Sequence, residues 1–226
     1  LLDTIDSAVG GDDLSLVLLY LSDHDVVSAL NAASERGVNV RLILDTNQDA
    51  FGMRKVGIPN QPVATDLVTR GVRVRWAYTR GEQCHSKMLL HRHARDITLI
   101  LGSANFTRRN LDNFNLETDV VVRGTSDAPA LAIATRVFER LWHNEEGKTY
   151  TLDYEVYGGR KPWRYALYWF MEKTGISTFC PRLSVRPAQR LPIPYPSRRS
   201  RCTPRHMAPP PAGERGCLPH RTYRPP

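Results

Sequence analysis

The chain has 226 residues, 41% of them hydrophobic, which is enough for one sizeable α/β domain with its own core. Its formal net charge of +8 lies at one end: residues 181–226 carry 10 arginines and one acid, Glu214, whereas residues 1–180 hold 21 basic and 22 acidic residues. Enzymes of nucleic acids usually carry their basic surface on the folded domain, so this distribution argues against a nuclease.

Targeting and redox signals are sparse. The longest apolar run has six residues, Leu16 to Leu21, and no run reaches the about 18 residues of a membrane-spanning helix. Leu1 leads into Asp3 and Asp6 without a basic flank, so we expect no signal peptide. The four cysteines are too few for a disulfide framework and favour a reducing compartment.

Apolar runs that alternate with helical stripes predict an α/β fold with a mixed β-sheet flanked by helices. Strands are predicted at residues 14–21, 38–44, 72–78, 86–90, 97–101 and 118–122. Helices are predicted from Leu1, after a cap at Ser22, from Pro62 and after a cap at Ser126. The polar cluster at residues 91–96 is predicted as a hairpin turn slightly longer than minimal.

Composition divides the chain further. We predict a catalytic half-domain over residues 1–149, an aromatic-rich segment over 150–180 and a disordered Pro/Arg-rich tail over 181–226, where 12 of the 16 prolines lie. In the middle segment, tryptophan and tyrosine beside Lys161 and Arg164 would suit the surface of a membrane. The alternative is a helix that packs on the domain's own core.

The residues that suggest chemistry begin with His85 and Lys87. Positions i and i+2 of a strand point to the same side of a sheet, so these two side chains would share one face. An imidazole can attack phosphorus or protonate a leaving oxygen near neutral pH. An ammonium beside it can bind the non-bridging oxygens of a phosphate and stabilise the charge that develops on them.

A second group of polar residues follows the neighbouring strand. Gly102 would let the backbone come close, and Ser103 and Asn105 would offer hydroxyl and amide donors to the same phosphate. Glu117 could hold the second nitrogen of a histidine and fix its tautomer. Each residue alone has a structural explanation, since a lone histidine is commonly structural and Gly-Ser-x-Asn is commonly a turn. Their coincidence at the ends of adjacent strands favours a catalytic site.

Three stretches of the chain resemble the signature of the phospholipase D superfamily, over about residues 1–145. They are His85-x-Lys87, Gly102-Ser103-Ala104-Asn105 and Asn115-x-Glu117. The resemblance implies a pocket shared by two such motifs and chemistry without a metal or other cofactor. One histidine forms a phosphohistidine intermediate and the other protonates the leaving alcohol.

The resemblance also implies a role for each matching residue. His85 would be the nucleophile or the general acid. Lys87, Ser103 and Asn105 would bind phosphate, and Glu117 would orient a histidine.

The sequence departs from the family pattern at two points. The aspartate expected five positions after the motif lysine is Arg92 here, and the nearest aspartate is Asp96. That aspartate is generally structural, so the change concerns the hairpin turn rather than the chemistry. The other departure matters more, because no second His-x-Lys occurs and a complete site needs a second half or a second subunit.

The resemblance offers two ways to complete the site. Short single-motif members are nucleases that dimerise, whereas longer members, such as phospholipases D and cardiolipin or phosphatidylserine synthases, carry both motifs in one chain. The nearly neutral domain and the aromatic segment favour the C-terminal half of a bacterial lipid enzyme with a phospholipid substrate, cytoplasmic or peripheral at the inner membrane. A homodimeric nuclease and an inactive severed half are the alternatives.

A zinc site built from Cys84, His85, His91 and His93 is disfavoured. His85 and His91 lie six residues apart, about 20 Å along an unbroken strand. His91 and His93 by themselves supply only two ligands. We therefore expect no metal.

Overall fold

A computed structural model of the chain describes residues 1–50, 53–54, 56–112, 114–159 and 161–174. The disorder predicted for the tail at 181–226 therefore falls outside the described residues. No helix within the described ranges has the length and hydrophobicity to cross a bilayer.

Helices and strands alternate along the chain, as the sequence pattern predicts. The helices are α1 (Leu2–Asp6), α2 (His24–Glu35), α3 (Asn60–Thr69), α4 (Arg108–Leu111), α5 (Pro129–His143) and α6 (Pro162–Thr174). The strands are β1 (Asp13–Leu18), β2 (Asn39–Leu44), β3 (Asp49–Ala50), β4 (Met53–Arg54), β5 (Arg73–Ala77), β6 (Lys87–His93), β7 (Asp96–Gly102), β8 (Asp119–Thr125) and β9 (Thr151–Asp153).

Seven strands form one mixed sheet in the order β8-β7-β6-β1-β2-β5-β9. The central strands β1, β2 and β5 run parallel, and every other neighbouring pair is antiparallel. Parallel strands need a crossover connection, and α2 and α3 supply these between β1 and β2 and between β2 and β5. The predicted α/β class with a mixed sheet flanked by helices is confirmed.

Helices cover both faces of the sheet, so the central strand β1 is buried on both sides. Leu14 and Leu16 lie in an apolar cluster with side chains of α1, α2 and α3. Val17 lies in a second cluster, with Leu131 and Phe138 of α5. This explains the nearly unbroken apolar run of β1, since a strand buried on one face only would alternate apolar with polar residues.

Three predicted helix starts are wrong by one or two residues. Helix α3 begins at Asn60 rather than at Pro62. Asp23, not Ser22, caps α2, because its carboxylate accepts the backbone N–H of Val26 at 3.0 Å. Helix α5 begins at Pro129 rather than directly after Ser126, which lies in a turn. Proline is favoured at the first helical position because its missing N–H would have no partner there.

The predicted extent of the hairpin turn, residues 91–96, is wrong. Strand β6 continues to His93 and β7 starts at Asp96, which leaves a two-residue turn with Ala94 at φ 49°. The polar side chains at the end of β6 face acidic partners beside β1, so their polarity marks strand contacts and not a loop.

The sequence prediction also missed the short strands. Thr151–Asp153 pairs with β5 and extends the sheet by one strand, which three residues are too few to signal. In the segment that follows, Tyr154, Tyr157 and Tyr168 pack against the apolar cluster of α1, α2 and α3. One face of α6 therefore docks on the domain, while the boundary at residue 149 stays a prediction.

Candidate functional site

The candidate residues gather at one edge of the sheet. There β1 and β2 end, β6 begins, β7 ends and β8 begins, as the pairs Leu18–Lys87 and Gly102–Asp119 show. Loops at such an edge can carry polar groups without interrupting the core, because the strand hydrogen bonds are complete before the loops start.

His85 and Lys87 lie in contact, as their spacing predicts. His85 is exposed just before β6, and Lys87 Nζ lies 3.1 Å from its Nδ1 and 3.2 Å from its Nε2. Since Cε1 lies between the two nitrogens, an ammonium this close to both must sit over the face of the ring. Both ring nitrogens therefore keep their in-plane directions open for other partners.

Lys87 is buried even though it carries a charged group. Its exposed fraction is 6%, and this burial lowers the pKa of the ammonium, while the charge of Glu117 raises it in part. The electrostatic interaction with Glu117 couples the start of β6 to the residues just before β8. Imidazole, ammonium and carboxylate thus form one cluster.

Glu117 is held by groups of the β7–β8 side. Its Oε2 accepts a hydrogen bond from Ser103 Oγ at 2.6 Å, and its Oε1 accepts one from Asn110 Nδ2. Ser103 Oγ in turn accepts the backbone N–H of Thr118 at 3.0 Å. The expected contact between Glu117 and His85 is therefore not formed, because both carboxylate oxygens have donors from this side of the site.

Asn105 is the candidate residue whose hydrogen bonding is incomplete. Its side chain is half-buried, and its Oδ1 is enclosed without a donor. The structure gives no contact between this amide and His85, Lys87 or Ser103 among the described side chains. An enclosed amide oxygen without a donor costs roughly 1–3 kcal/mol, and such atoms in native proteins call for a functional or structural reason.

Gly102 is required by the close approach of β8. A Cβ at this position would overlap Asp119 Oδ1 and the carbonyl oxygen of Thr118. The backbone N–H of Ser103 donates to that same carbonyl at 3.0 Å. The glycine thus lets the end of β7 lie against the start of β8 and sets the position of Ser103.

A buried aspartate that the sequence reasoning did not single out positions the loop before His85. Asp45 follows β2 and is 1% exposed. Its Oδ2 accepts the backbone N–H of Cys84 at 2.7 Å, and its Oδ1 accepts that of Asn47 at 2.7 Å. On the other side of His85, the Ser86 carbonyl accepts the backbone N–H of Leu19 at 2.9 Å. His85 is therefore fixed by backbone hydrogen bonds on both sides.

Two buried asparagines complete this support. Asn47 Nδ2 and Asn60 Nδ2 donate to the carbonyl of Leu19 at 2.9 and 2.8 Å, and Asn60 Nδ2 also donates to the carbonyl of Asp45 at 2.8 Å. The available sequence signal was an acid directly after the apolar end of a strand, Leu42 to Leu44, at the edge where parallel strands place their functional loops.

The same contacts alter the chemistry of Cys84. Burial of the thiol raises its pKa to about 11, and the charge of Asp45 acts in the same direction. The thiol is therefore neutral around pH 7 and is no nucleophile there.

The family of the chain follows from its match to a known domain. Residues 1–142 match the family described as cardiolipin synthase, PLD-like domain, which is more than half of the chain. The chain belongs to this phospholipase D-like family. Membership of the superfamily supports phosphodiester chemistry of the phospholipase D type. No curated protein matches the chain at a significant level.

Several solved structures are similar to this PLD-like domain. Nuc from Salmonella typhimurium, a phospholipase D family member, has a TM-score of 0.50 and 22% identity, over 67% of this chain and 88% of Nuc. NucT from Helicobacter pylori has a TM-score of 0.47 and 17% identity, over 67% of this chain and 87% of NucT. Phosphatidylserine synthase from Haemophilus influenzae has a TM-score of 0.48 and 11% identity. The matched part is 77% of this chain and 42% of the synthase.

Arg92, which replaces the aspartate expected in the motif, has a structural role in this PLD-like domain. It lies opposite Asp13 in the pairing of β1 with β6, and its Nε donates to Asp13 Oδ2 at 3.0 Å. The pair ties the far end of β6 to β1, away from His85. The substitution therefore leaves the candidate site intact.

His91 and His93 share one carboxylate. His91 Nε2 lies 2.9 Å from one oxygen of Asp12, and His93 Nδ1 lies 2.7 Å from the other. Within the described part of the chain, no three His, Cys, Asp or Glu side chains are grouped as a metal site would require. The two histidines serve as partners of Asp12.

Proposed function

We propose that the chain supplies one half of a phospholipid phosphodiesterase or phosphatidyltransferase that works through a phosphohistidine intermediate. The observation that carries the proposal is the contact of Lys87 with His85, next to the carboxylate of Glu117. A buried ammonium over an exposed imidazole is an arrangement that places positive charge where a phosphate would meet the ring.

The proposal assigns a role to each residue. One histidine attacks phosphorus, so that an N–P bond forms while the P–O bond to the leaving alcohol breaks. The second histidine gives its proton to that alcohol; water or an acceptor alcohol then attacks phosphorus, so that a new P–O bond forms while the N–P bond breaks, and its proton returns to the second histidine. His85 takes one of these two roles. Lys87, Ser103 and Asn105 bind the phosphate, and Glu117 orients the histidine of the second motif through the rearrangement of its own hydrogen bonds.

The second histidine comes from another half or subunit in this proposal, because the chain has a single His-x-Lys. Exposed apolar side chains surround the β7–β8 end of the site and would be covered by such a partner. They are Leu101, Phe114, Leu116, Val120 and Val121. The enclosed, unpartnered Oδ1 of Asn105 lies in the same loop region and would gain a donor from the partner or substrate.

A dimeric nuclease is the second candidate, and the single motif favours it. The domain charge argues the other way, since residues 1–180 are nearly neutral. An enzyme that neutralises many phosphates at once needs a basic surface, and its affinity falls steeply as salt is added. Lipid phosphodiesters carry one phosphate each and need no such surface.

Mass in solution combined with turnover separates these functions. The full chain, alone and together with a chain that carries a second His-x-Lys motif, would be tested on phosphatidylglycerol vesicles, on single-stranded DNA and on bis(p-nitrophenyl) phosphate. The proposal predicts turnover of lipid and of the generic diester only in the assembly with two motifs. Turnover of DNA by a homodimer would show that the chain is a nuclease instead. Absence of turnover on every substrate would show that the chain is an inactive half.

A further inference from the structure

The outer face of α6 is unusual because it is aromatic and exposed. Trp163, Trp169 and Phe170 have exposed fractions of 46%, 61% and 53%. Trp163 and Phe170 lie seven residues apart and so on the same side of the helix, and Trp169 is the neighbour of Phe170, so the three rings form a broad aromatic stripe on the exposed face of α6. A helix on the surface of a domain ordinarily turns such residues inward.

The opposite face of α6 is the one that docks on the domain. The Tyr168 hydroxyl donates to the carbonyl of Ser22 at 3.0 Å, and Arg164 Nη1 donates to Gln61 Oε1. Tyr168 also packs against the apolar core. The aromatic stripe is therefore presented outward by a helix whose other side already has its partners.

Basic groups accompany the stripe. Lys173 Nζ lies 4.2 Å from the ring centroid of Trp169, and Lys161 immediately precedes the helix. The helix itself holds one acid in its sequence, Glu172. Of the acids near this face, Asp23 caps α2, Asp112 pairs with Arg108 at 3.1 Å, and Asp25 is exposed beside His24. Aromatic rings flanked by lysines match the boundary of a bilayer that contains anionic lipids.

A short series of contacts connects α6 to the candidate phosphate site. Ser22, which holds Tyr168, donates its backbone N–H to the carbonyl of Phe106 at 2.8 Å. Phe106 follows Asn105 directly. The aromatic stripe and the loop that ends in Asn105 are thus attached to the same short segment after β1.

We infer that the outer face of α6 docks on an anionic lipid bilayer and so brings the candidate site to lipid phosphates. The inference deepens the proposed function, on which it rests for the substrate. The rings of Trp163, Trp169 and Phe170 enter the interfacial region, and Lys161 and Lys173 face the lipid phosphates.

Co-sedimentation of the full chain with vesicles tests this surface without any need for activity. Vesicles of phosphatidylcholine with phosphatidylglycerol should bind the chain, and vesicles of phosphatidylcholine alone should bind it less. The triple variant W163A/W169A/F170A should bind at least about tenfold more weakly. Lys173→Gln should bind about fivefold more weakly at low salt. Ile133→Ala, which removes a similarly exposed apolar side chain from α5, should bind as the unchanged chain does.

The outcomes separate the surface from the function. Absence of vesicle binding, or equal binding by the triple variant, overturns the inference. A change of mass in solution in the triple variant, without vesicle binding, identifies a protein contact instead and also overturns it. Vesicle binding by the chain, with no turnover of bis(p-nitrophenyl) phosphate by the assembly with two His-x-Lys motifs, keeps the surface and rejects the enzyme, whereas turnover by that assembly without vesicle binding does the reverse.

Discussion

The carboxylate of Asp45 accepts the backbone N–H of Cys84 at 2.7 Å, directly before His85. Because the Leu19 N–H holds the Ser86 carbonyl at 2.9 Å, the peptide groups on both sides of His85 have fixed partners. A catalytic imidazole is effective only when its geometry is held by such surrounding contacts. Asp45 is thus a positioning residue that does not touch the reacting atoms.

Asp45→Asn should lower turnover more than substrate affinity. The amide offers one acceptor where the carboxylate offers two, so one N–H of Cys84 or Asn47 loses its partner. The free energy of unfolding should fall by about 1–3 kcal/mol. Urea unfolding and steady-state kinetics measure both effects, with Asp25→Asn, whose side chain is exposed, as the control. Unchanged kcat in a destabilised Asp45→Asn chain would show that the contact is structural only.

Cys84 should react slowly with alkylating agents. Its pKa of about 11 keeps the thiol protonated at pH 8, and burial restricts access to it. The rate of iodoacetamide labelling, followed by mass spectrometry of the peptide around residue 84, should rise as the pH approaches 11 and on unfolding in urea. Asp45→Asn should shift this rise to lower pH, because it removes a negative charge beside the thiol. Rapid labelling of the folded chain at pH 7 would contradict the described burial.

Gly102→Ala should destabilise the chain and disturb Ser103. The added methyl group overlaps backbone atoms of Thr118 and Asp119, which cannot move without opening the β7–β8 pairing. We expect a loss of about 1–3 kcal/mol in the free energy of unfolding, the range of overpacking in a close-packed region. Thermal unfolding measures it. Gly124→Ala is the matched control, since its methyl group would meet only side-chain atoms of Leu131 and Ala128, at 3.3 and 3.7 Å, and an equal effect of both changes would argue against a special role for Gly102.

Asp12 should make folding sensitive to acid. Burial alone would raise the pKa of its carboxyl, but hydrogen bonds from His91, the Val9 N–H and His93 outweigh that and lower it below the ordinary 3.8. A carboxyl with a lowered folded-state pKa contributes stability above about pH 4, which is lost as the pH falls through the folded-state value. The free energy of unfolding measured from pH 7 to pH 3 should therefore decline.

Asp12→Asn should flatten that decline and lower stability at pH 7 by about 1–3 kcal/mol, because His91 and His93 lose a charged acceptor. Asp25→Asn, which changes an exposed carboxylate, is a suitable control. If both variants kept the acid dependence of the unchanged chain, another carboxyl would be responsible for it.

Local spacing predicted the parts of the site that lie close in the chain. His85 and Lys87 meet because they lie two positions apart where one strand begins, and Ser103 meets Glu117 because consecutive strands bring them together. The sheet class followed from apolar runs, and β1 was recognised by burial on both faces. These are features that short stretches of sequence determine by themselves.

Contacts between distant segments could not be read in this way. Asp45 and Cys84 are 39 residues apart, and their pairing depends on how the loop after β2 lies beside the loop before β6. The hairpin end was misread for the same reason, because His91 and His93 look like turn residues until Asp12 is placed opposite them. Polar residues near strand ends therefore mark either loops or buried partners, and only the tertiary fold distinguishes the two.

The most direct test of the central claim is the turnover of a phosphodiester after removal of the imidazole. In an assembly with two His-x-Lys motifs, His85→Ala should reduce the hydrolysis of phosphatidylglycerol and of bis(p-nitrophenyl) phosphate by at least about a thousandfold. His143→Ala, an exposed histidine of α5, should leave both rates unchanged. If the His85→Ala variant turned over both substrates as fast as the unchanged assembly does, that result would contradict the assignment of phosphoryl transfer to this site.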